Sequence, residues 1–191
     1  MWNTKTPGIP DEFFERDEGV PITKEEVRVV QISKARLKPG MIVYDIGCGS
    51  GSISVEAALQ IEDSGHVHAV DNDVKAVELT KKNLTKFEVK NVSVINNDAN
   101  KAISDLPDAN AIFIGGTGKD TKEIVKLCQD KLKQGGRIVI GMILIETIFS
   151  VLSLIQELSF NSVDITQVTI SKSRKTSTGT MMLARNPVTI L

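Results

Sequence analysis

The stretch that decides the fold is Met41-Ile-Val-Tyr-Asp45-Ile-Gly47-Cys48-Gly49-Ser50-Gly51, followed directly by SISVEAALQIE. An apolar run of strand length passes into three glycines at alternate positions and then into an apolar helical pattern. Glycines in such a turn let the backbone bend tightly and approach a ligand, and the helix that follows offers free N–H groups at its start. Further along lie four more short apolar runs: HVHAVD at 66–71, VSVIN at 92–96, AIFIG at 111–115 and RIVIGMI at 137–143. Each is continuous rather than alternating, as expected for strands covered on both faces. Helical patterns separate them, which predicts βαβ units and hence an α/β fold with a largely parallel sheet. Ile124, Leu127, Cys128 and Leu132 share one helical stripe, and Ile148, Val151, Leu152 and Ile155 another. Gly135-Gly136 is expected to stop the first of these helices.

Two segments break the repeat. Thr23-Lys-Glu-Glu26 has the spacing of a capping box, which predicts a helix from about Lys24 to Leu37 with the Thr23 hydroxyl as its cap. The residues before it, 1–22, read as an arm. At the other end SVDITQVTIS and TMMLARNPVTIL, joined by SKSRKTSTG, read as a long antiparallel hairpin closing the sheet. With 191 residues, no internal repeat and no linker, one domain over 1–191 is expected.

Composition excludes several classes of function. Lys+Arg 23 against Asp+Glu 24 gives a net charge of -1, so there is no global attraction to nucleic acid. No apolar run nears the roughly 20 residues that span a bilayer, and the opening residues lack a signal-peptide pattern, which points to a cytoplasmic protein. Cys48 and Cys128 form no CxxC pair, and His66 and His68 are the only histidines, so neither a metal site nor a His-dependent triad is expected.

The glycine loop can be read more closely. Asp71 closes the second strand about twenty residues on, where Rossmann-type nucleotide sites place an acid for ribose hydroxyls. The spacing here is G-x-G-x-G, with Asp45 two residues ahead of it, and not the G-x-G-x-x-G of dinucleotide sites, so no pyrophosphate is implied. A tight turn without a ligand is the alternative reading of the same glycines.

DIGCGSG, Asp71, the NNDAN segment and LKQGGRIVI together resemble the class I methyltransferases that use S-adenosylmethionine. The resemblance implies a Rossmann-like, mostly parallel seven-stranded sheet with helices on both faces. It also implies that Gly47, Cys48, Gly49, Ser50 and Gly51, with Asp45 beside them, wrap the amino-acid part of the cofactor. Asp71 would take the ribose diol, Asp98 and Ala99 would border the adenine, and Thr23 would be a further cofactor contact. For Asp98 an Asx turn at a strand end fits as well.

A narrower resemblance rests on PGIPDEFFERDEGVPITKEEVR, IFIGGTG, ILIETI and TMMLARNPV, which are similar to the cobalt-precorrin C15-methyltransferases (decarboxylating) of cobalamin biosynthesis. It implies methylation of carbon 15 of a precorrin tetrapyrrole and decarboxylation of the acetate on carbon 12. A homo-oligomer is implied too, with a tetramer among the states to test, and so is a separate C5-methyltransferase as functional partner.

Such a ring carries several carboxylates, and Lys172, Arg174 and Lys175 form a basic cluster suited to them, with Arg16, Lys24 and Arg28 as additions. A solvated surface explains each of these singly. Gly115 and Gly116 would leave room for a flat substrate, or simply form a loop. Glu146 would orient substrate, or simply open a helix. No general base is assigned. An RNA (tRNA) methyltransferase is the alternative within the class, disfavoured by the charge and by 4% aromatic residues. A non-catalytic subunit that binds S-adenosylmethionine is the alternative outside it.

Overall fold

The computed structural model describes Trp2, residues 4–158 and residues 160–191; Met1 and Asn3 of the arm lie outside the described residues. Among the described residues, nine strands and six α-helices follow one another along the chain. The strands are β1 (Ile42–Ile46), β2 (His66–Asp71), β3 (Val92–Asn96), β4 (Ala109–Ile114), β5 (Leu132–Met142), β6 (Thr166–Val168), β7 (Ser171–Lys175), β8 (Thr180–Ala184) and β9 (Val188–Ile190). The helices are α1 (Glu25–Ala35), α2 (Ser52–Ile61), α3 (Val74–Lys86), α4 (Ala99–Asp105), α5 (Thr121–Asp130) and α6 (Ile145–Glu157).

Seven strands form one sheet in the order β3-β2-β1-β4-β5-β9-β6. The first five are parallel, and β9 runs antiparallel between β5 and β6. Alternate side chains feed two cores. Tyr44, Ile46, Ile112 and Ile114 pack with residues of α4, α5 and α6, while Val43, Ala111 and Phe113 pack with residues of α1 and α2. Both faces are therefore apolar, which is why the strands read as unbroken apolar runs.

Several expectations need correction. The capping box does not form: Lys24 stands at the N-cap and no side chain of the helix caps it. The Glu25 N–H donates instead to Asp11 Oδ1 of the arm at 3.0 Å, and Glu26 pairs with Lys172. The helix also ends earlier than expected, at Ala35, with Arg36 in the left-handed region. Gly135-Gly136 stops no helix. α5 ends at Asp130, and the two glycines lie in an irregular stretch of β5, where pairing jumps from Ala109↔Leu132 to Ala111↔Arg137. Leu132 consequently belongs to the strand, and on α6 Leu154 joins the core face where Leu152 was expected. The C-terminal hairpin is split. β6 and β9 pair within the main sheet, whereas β7 and β8 form a separate two-stranded sheet, so Lys172, Arg174 and Lys175 stand on a strand and not in a loop.

The arm is fixed by a buried ion pair. Arg28 is fully buried and donates through Nε to Glu56 Oε1 at 2.6 Å, while Glu56 accepts the Gly8 and Ile9 N–H groups at 2.9 Å each. The remaining guanidinium nitrogens of Arg28 donate to the carbonyls of Thr23 and Ile9, and Phe14 lies 4.8 Å beneath its centre. A buried charge is tolerable only with this degree of pairing, and the result is that residues 20–24 are held against the carboxyl edge of the sheet. Arg28 thus serves the structure and lines neither cavity of the candidate site.

Candidate active site

Strand order reverses between β1 and β4, and ligands of such sheets bind outside the strand ends at that point. The loops leaving the two strands touch there. A Cβ built on Gly47, whose φ is +76°, would come within 1.9 Å of the Gly115 carbonyl oxygen, so no other residue fits. The Gly47 and Cys48 N–H groups donate to the Val70 carbonyl, and Gly49 N–H donates to Asp71 Oδ2 at 2.9 Å. Thr80 holds the Gly49 carbonyl from α3. Asp71 therefore braces the loop with one oxygen and the Asp73 N–H with the other, while its edge faces a cavity.

Two cavities meet at this wall. The smaller, about 270 Å³, lies over β2 and β3 and is lined by Asp71, Asn72, Asp73, Asn97, Asp98, Ala99, Asn100 and Asp120 together with Gly47, Gly49 and Gly116. Four carboxylates among these residues disfavour a phosphate and suit a ligand bearing positive charge and hydroxyl groups. Asn100 Oδ1 is buried with no donor among the described residues, an acceptor of the kind a nucleobase amine satisfies. These features fit the expected cofactor: Asp71 for the diol, Asp98, Ala99 and Asn100 around the base. Asp98 also caps α4 by accepting the Asn100 N–H at 2.9 Å, so the turn role and the cavity role coexist in one residue.

The larger cavity, about 700 Å³, lies on the other side of the glycines. Arm residues Pro21 to Lys24, Val27 and Gln31 of α1, Phe113, Gly115, Gly116, Ile143 and the segment Ala184-Arg185-Asn186 enclose it. Pro21, Gly47, Gly49 and Gly116 border both cavities. Asp45 and Cys48 face the larger one, beneath the loop. Burial pushes the Asp45 carboxyl up to about 6; the 2.5 Å hydrogen bond from Ser54 opposes this and the Asp71 charge adds to it. Burial likewise pushes the Cys48 thiol far up, so it is no nucleophile near neutral pH.

The expected site residues divide sharply. Gly47, Gly49, Asp71, Asp98, Ala99, Gly115 and Gly116 meet at the cavities, as do Asp45, Cys48 and Thr23, although Thr23, Asp45, Cys48 and Gly115 border only the larger. Gly51, at the start of α2, packs on Thr80, and Ser50 is buried with its carbonyl held by Asn83; neither lines a cavity. Glu146 is exposed in the first turn of α6 and also lines neither. Nor do Lys172, Arg174 and Lys175: Lys172 pairs with Glu26 at 2.5 Å and Glu25 at 3.3 Å, and the other two are exposed. The cations that do face the large cavity are Lys24 and Arg185. Arg185 was hidden in TMMLARNPV, where a lone arginine after an apolar strand carries no signal of its own.

Comparison with known proteins agrees with this fold. Residues 12–191 match the family described as precorrin methyltransferase domain. A protein of Saccharolobus solfataricus named "Probable cobalt-precorrin-6B C(15)-methyltransferase (decarboxylating)" is 46% identical over 100% of this chain and 96% of its own. The crystal structure of precorrin 8W decarboxylase from Methanobacterium thermoautotrophicum superposes with a TM-score of 0.89 at 35% identity, covering 95% of this chain and 97% of that one. Precorrin-6Y C5,15-methyltransferase from Geobacter metallireducens gives the same TM-score at 32% identity, covering 97% and 95%.

Proposed function

We infer the activity from one premise: this chain belongs to the precorrin methyltransferase family. It is an S-adenosylmethionine-dependent C-methyltransferase that methylates carbon 15 of a cobalt-precorrin-6B-type ring and decarboxylates it, in cobalamin biosynthesis. The observation that carries the reading is the pair of cavities joined across glycines, one small and acidic, the other large enough for part of a macrocycle.

When bound, S-adenosylmethionine supplies a methyl group already activated by its sulfonium, so alignment matters more than a strong protein base. Gly47, Gly49 and Gly116 keep side chains out of the path between the cavities. Asp71 and Asp98 hold the cofactor from the small side, and Asp45 places negative charge beneath the loop where a cationic ligand gains from it. On the large side Val27, Phe113 and Ile143 give a flat ring apolar surface. A carboxylate set against that apolar part loses hydration, which favours breaking of its C–C bond to release carbon dioxide, and the electron pair of that bond passes into the electron-poor macrocycle.

Incubating the purified chain with cobalt-precorrin-6B and S-adenosylmethionine should yield a product that has gained one methyl and lost one carbon dioxide by mass. A ring recovered unchanged would favour the non-catalytic subunit, and methyl transfer to tRNA alone would favour the RNA enzyme. A homo-oligomer completes the proposal, supported by the exposed apolar residues Leu144, Ile145 and Phe149 near one edge. Light scattering of the purified chain tests that. A separate C5-methyltransferase and a cytoplasmic location belong to the same reading; among the described residues no helix is long and apolar enough to cross a membrane.

A further inference from the structure

Arg185 stands between two roles. Its Nη1 atom is buried, yet no described residue offers it a hydrogen-bond acceptor. The nearest carboxylate is Asp11 of the arm, 3.8 Å away, beyond hydrogen-bond reach. Asp11 is already engaged: Oδ1 accepts the Glu25 N–H at 3.0 Å and lies 3.4 Å from Arg28, and Oδ2 lies 3.6 Å from Lys24. One carboxylate thus serves three cations, and the two that face the large cavity, Lys24 and Arg185, are under-neutralised. The ammonium of Lys24 is shifted below its usual range, first by burial and then by the neighbouring Arg16, with Arg185 adding to the effect. Asn186 and Gln31 add carboxamide donors to the same wall. Such a site is short of one anion, and a planar guanidinium with free N–H groups is the group best matched to a carboxylate.

We propose that Arg185, with Lys24 beside it, binds one peripheral carboxylate of the substrate and so sets which way the ring lies against the glycine wall. The proposal rests on the ring-methylating reading above and names the part of the large cavity that reads the substrate's charge. Asp11 is the internal counter-ion: it keeps Lys24 and Arg185 together at the rim while they await the ligand, too far from Arg185 to compete at bonding distance. The carboxylate held here is not the one that departs, because pairing with Arg and Lys stabilises it as an anion.

The test uses the full-length protein with cobalt-precorrin-6B and S-adenosylmethionine, comparing wild type with Arg185→Met, Arg185→Lys and Asp11→Asn. S-adenosylhomocysteine affinity and Tm are read in parallel as measures of folding. Arg185→Met should raise the KM for the ring about ten- to a hundredfold, the range of a charge-assisted pair, while kcat and S-adenosylhomocysteine affinity stay within about twofold. Arg185→Lys should fall between the two. Asp11→Asn should lower Tm through the lost charge beside Arg28 and Lys24 and, because Asp11 also holds Lys24 and Arg185 at the rim, change the ring KM, but by less than Arg185→Met does. If Arg185→Met and Asp11→Asn shift Tm alike and leave KM alone, Arg185 merely ties β8 to the arm and the proposal is overturned. Should Arg185→Met fail to fold, the same KM in Arg185→Lys as in wild type overturns it. A wild-type protein that does not turn over the ring at all overturns the functional reading itself, and the carboxylate site falls with it.

Discussion

The two cavities share a wall of glycines but are built on different principles. The small one comes mostly from the loops that leave β1, β2 and β3, with Gly47 and Gly49, residues 71–73 and residues 97–100, closed by Val20 and Pro21 of the arm and by residues after β4. Asp71 and Asp98 serve backbone N–H groups two residues on as well as the cavity, and Asp71, Val70 and Thr80 tie the glycine loop to the next strand and helix. The large cavity is assembled from the arm, α1, the end of β5 and the end of β8, segments as far apart as Thr23 and Arg185. What holds it open is the buried Arg28–Glu56 pair, which fixes the arm from beneath. On the proposed reading, the cofactor meets mainly strand-end motifs and the substrate a more widely assembled tertiary surface.

Breaking the shared wall should have the largest effect and spare neither side. Gly47→Ala sets a Cβ into the Gly115 carbonyl and asks alanine to keep φ +76°, so we expect a loss of about 5 kcal/mol or failure to fold. Urea denaturation and S-adenosylhomocysteine binding would show it. A stable Gly47→Ala protein that still binds the cofactor product would mean the β1 and β4 loops can separate.

The arm can be loosened while the glycine wall is left alone. Glu56→Ala strands the buried Arg28 charge and two backbone donors, which should cost about 3 to 5 kcal/mol. Protease nicking should begin in residues 4–22, and in the protein that remains folded, ring affinity should fall much more than cofactor affinity. Equal losses on both sides would contradict the division drawn between the cavities.

What the sequence revealed follows the same division. Strand runs β1 to β4 were legible to within two residues because β1 and β4 are buried on both faces and β2 and β3 keep enough apolar residues in register to read as runs. The glycine loop and Asp71 were legible because backbone geometry there demands particular residues at fixed spacing. Two things stayed hidden for a physical reason. The capping-box pattern at Thr23 was overridden when Asp11, fourteen residues away from the amide it caps, supplied the carboxylate. The basic run Lys172 to Lys175 drew attention by density, whereas Arg185 acts by position, and position on a rim depends on how β8 leaves its small sheet.

Acidity distinguishes the cavities in a further way, through Asp45. Its folded pKa of about 6 lies above the value near 4 of an unfolded aspartate, so the folded chain holds the proton more tightly. Stability is then greatest below about pH 4 and declines as pH rises through about 6, where the buried group must ionise. Asp45→Asn cannot ionise and should exceed wild type by about 2 to 3 kcal/mol near pH 8, with the gap closing near pH 4. Bound S-adenosylmethionine, being cationic, favours the ionised form. Wild-type affinity for it should therefore rise between about pH 5 and pH 7, and that of Asp45→Asn should stay flat and lower. Thermal denaturation and calorimetry over that range would check both halves. A wild-type Tm that rises steadily from pH 4 to pH 8 would place the Asp45 pKa at the ordinary value and remove it from this account.

The smallest effect is expected where the sequence alone pointed most strongly to substrate. Arg174 and Lys175 are exposed on β7 and line no cavity, so replacing both with Gln should leave the ring KM within about twofold of wild type. Lys172 differs from them. Its ammonium is shifted above the usual range by hydrogen bonding to Glu26, with Glu25 contributing, and so it fastens the small sheet to the first turn of α1. The pair is partly exposed, and pairs at the surface are worth about 1 kcal/mol or less, so Lys172→Met should lower stability by about that much. Its effect on the ring should be indirect: β7 positions β8, and β8 ends at Ala184, beside Arg185. A modest rise in KM with Lys172→Met, absent from Glu25→Gln/Glu26→Gln, would show that Lys172 acts on the substrate and not through α1. A matching rise in both would confine its role to holding the hairpin, and a large rise with Arg174→Gln/Lys175→Gln would return the carboxylate site to the strand from which the geometry removes it.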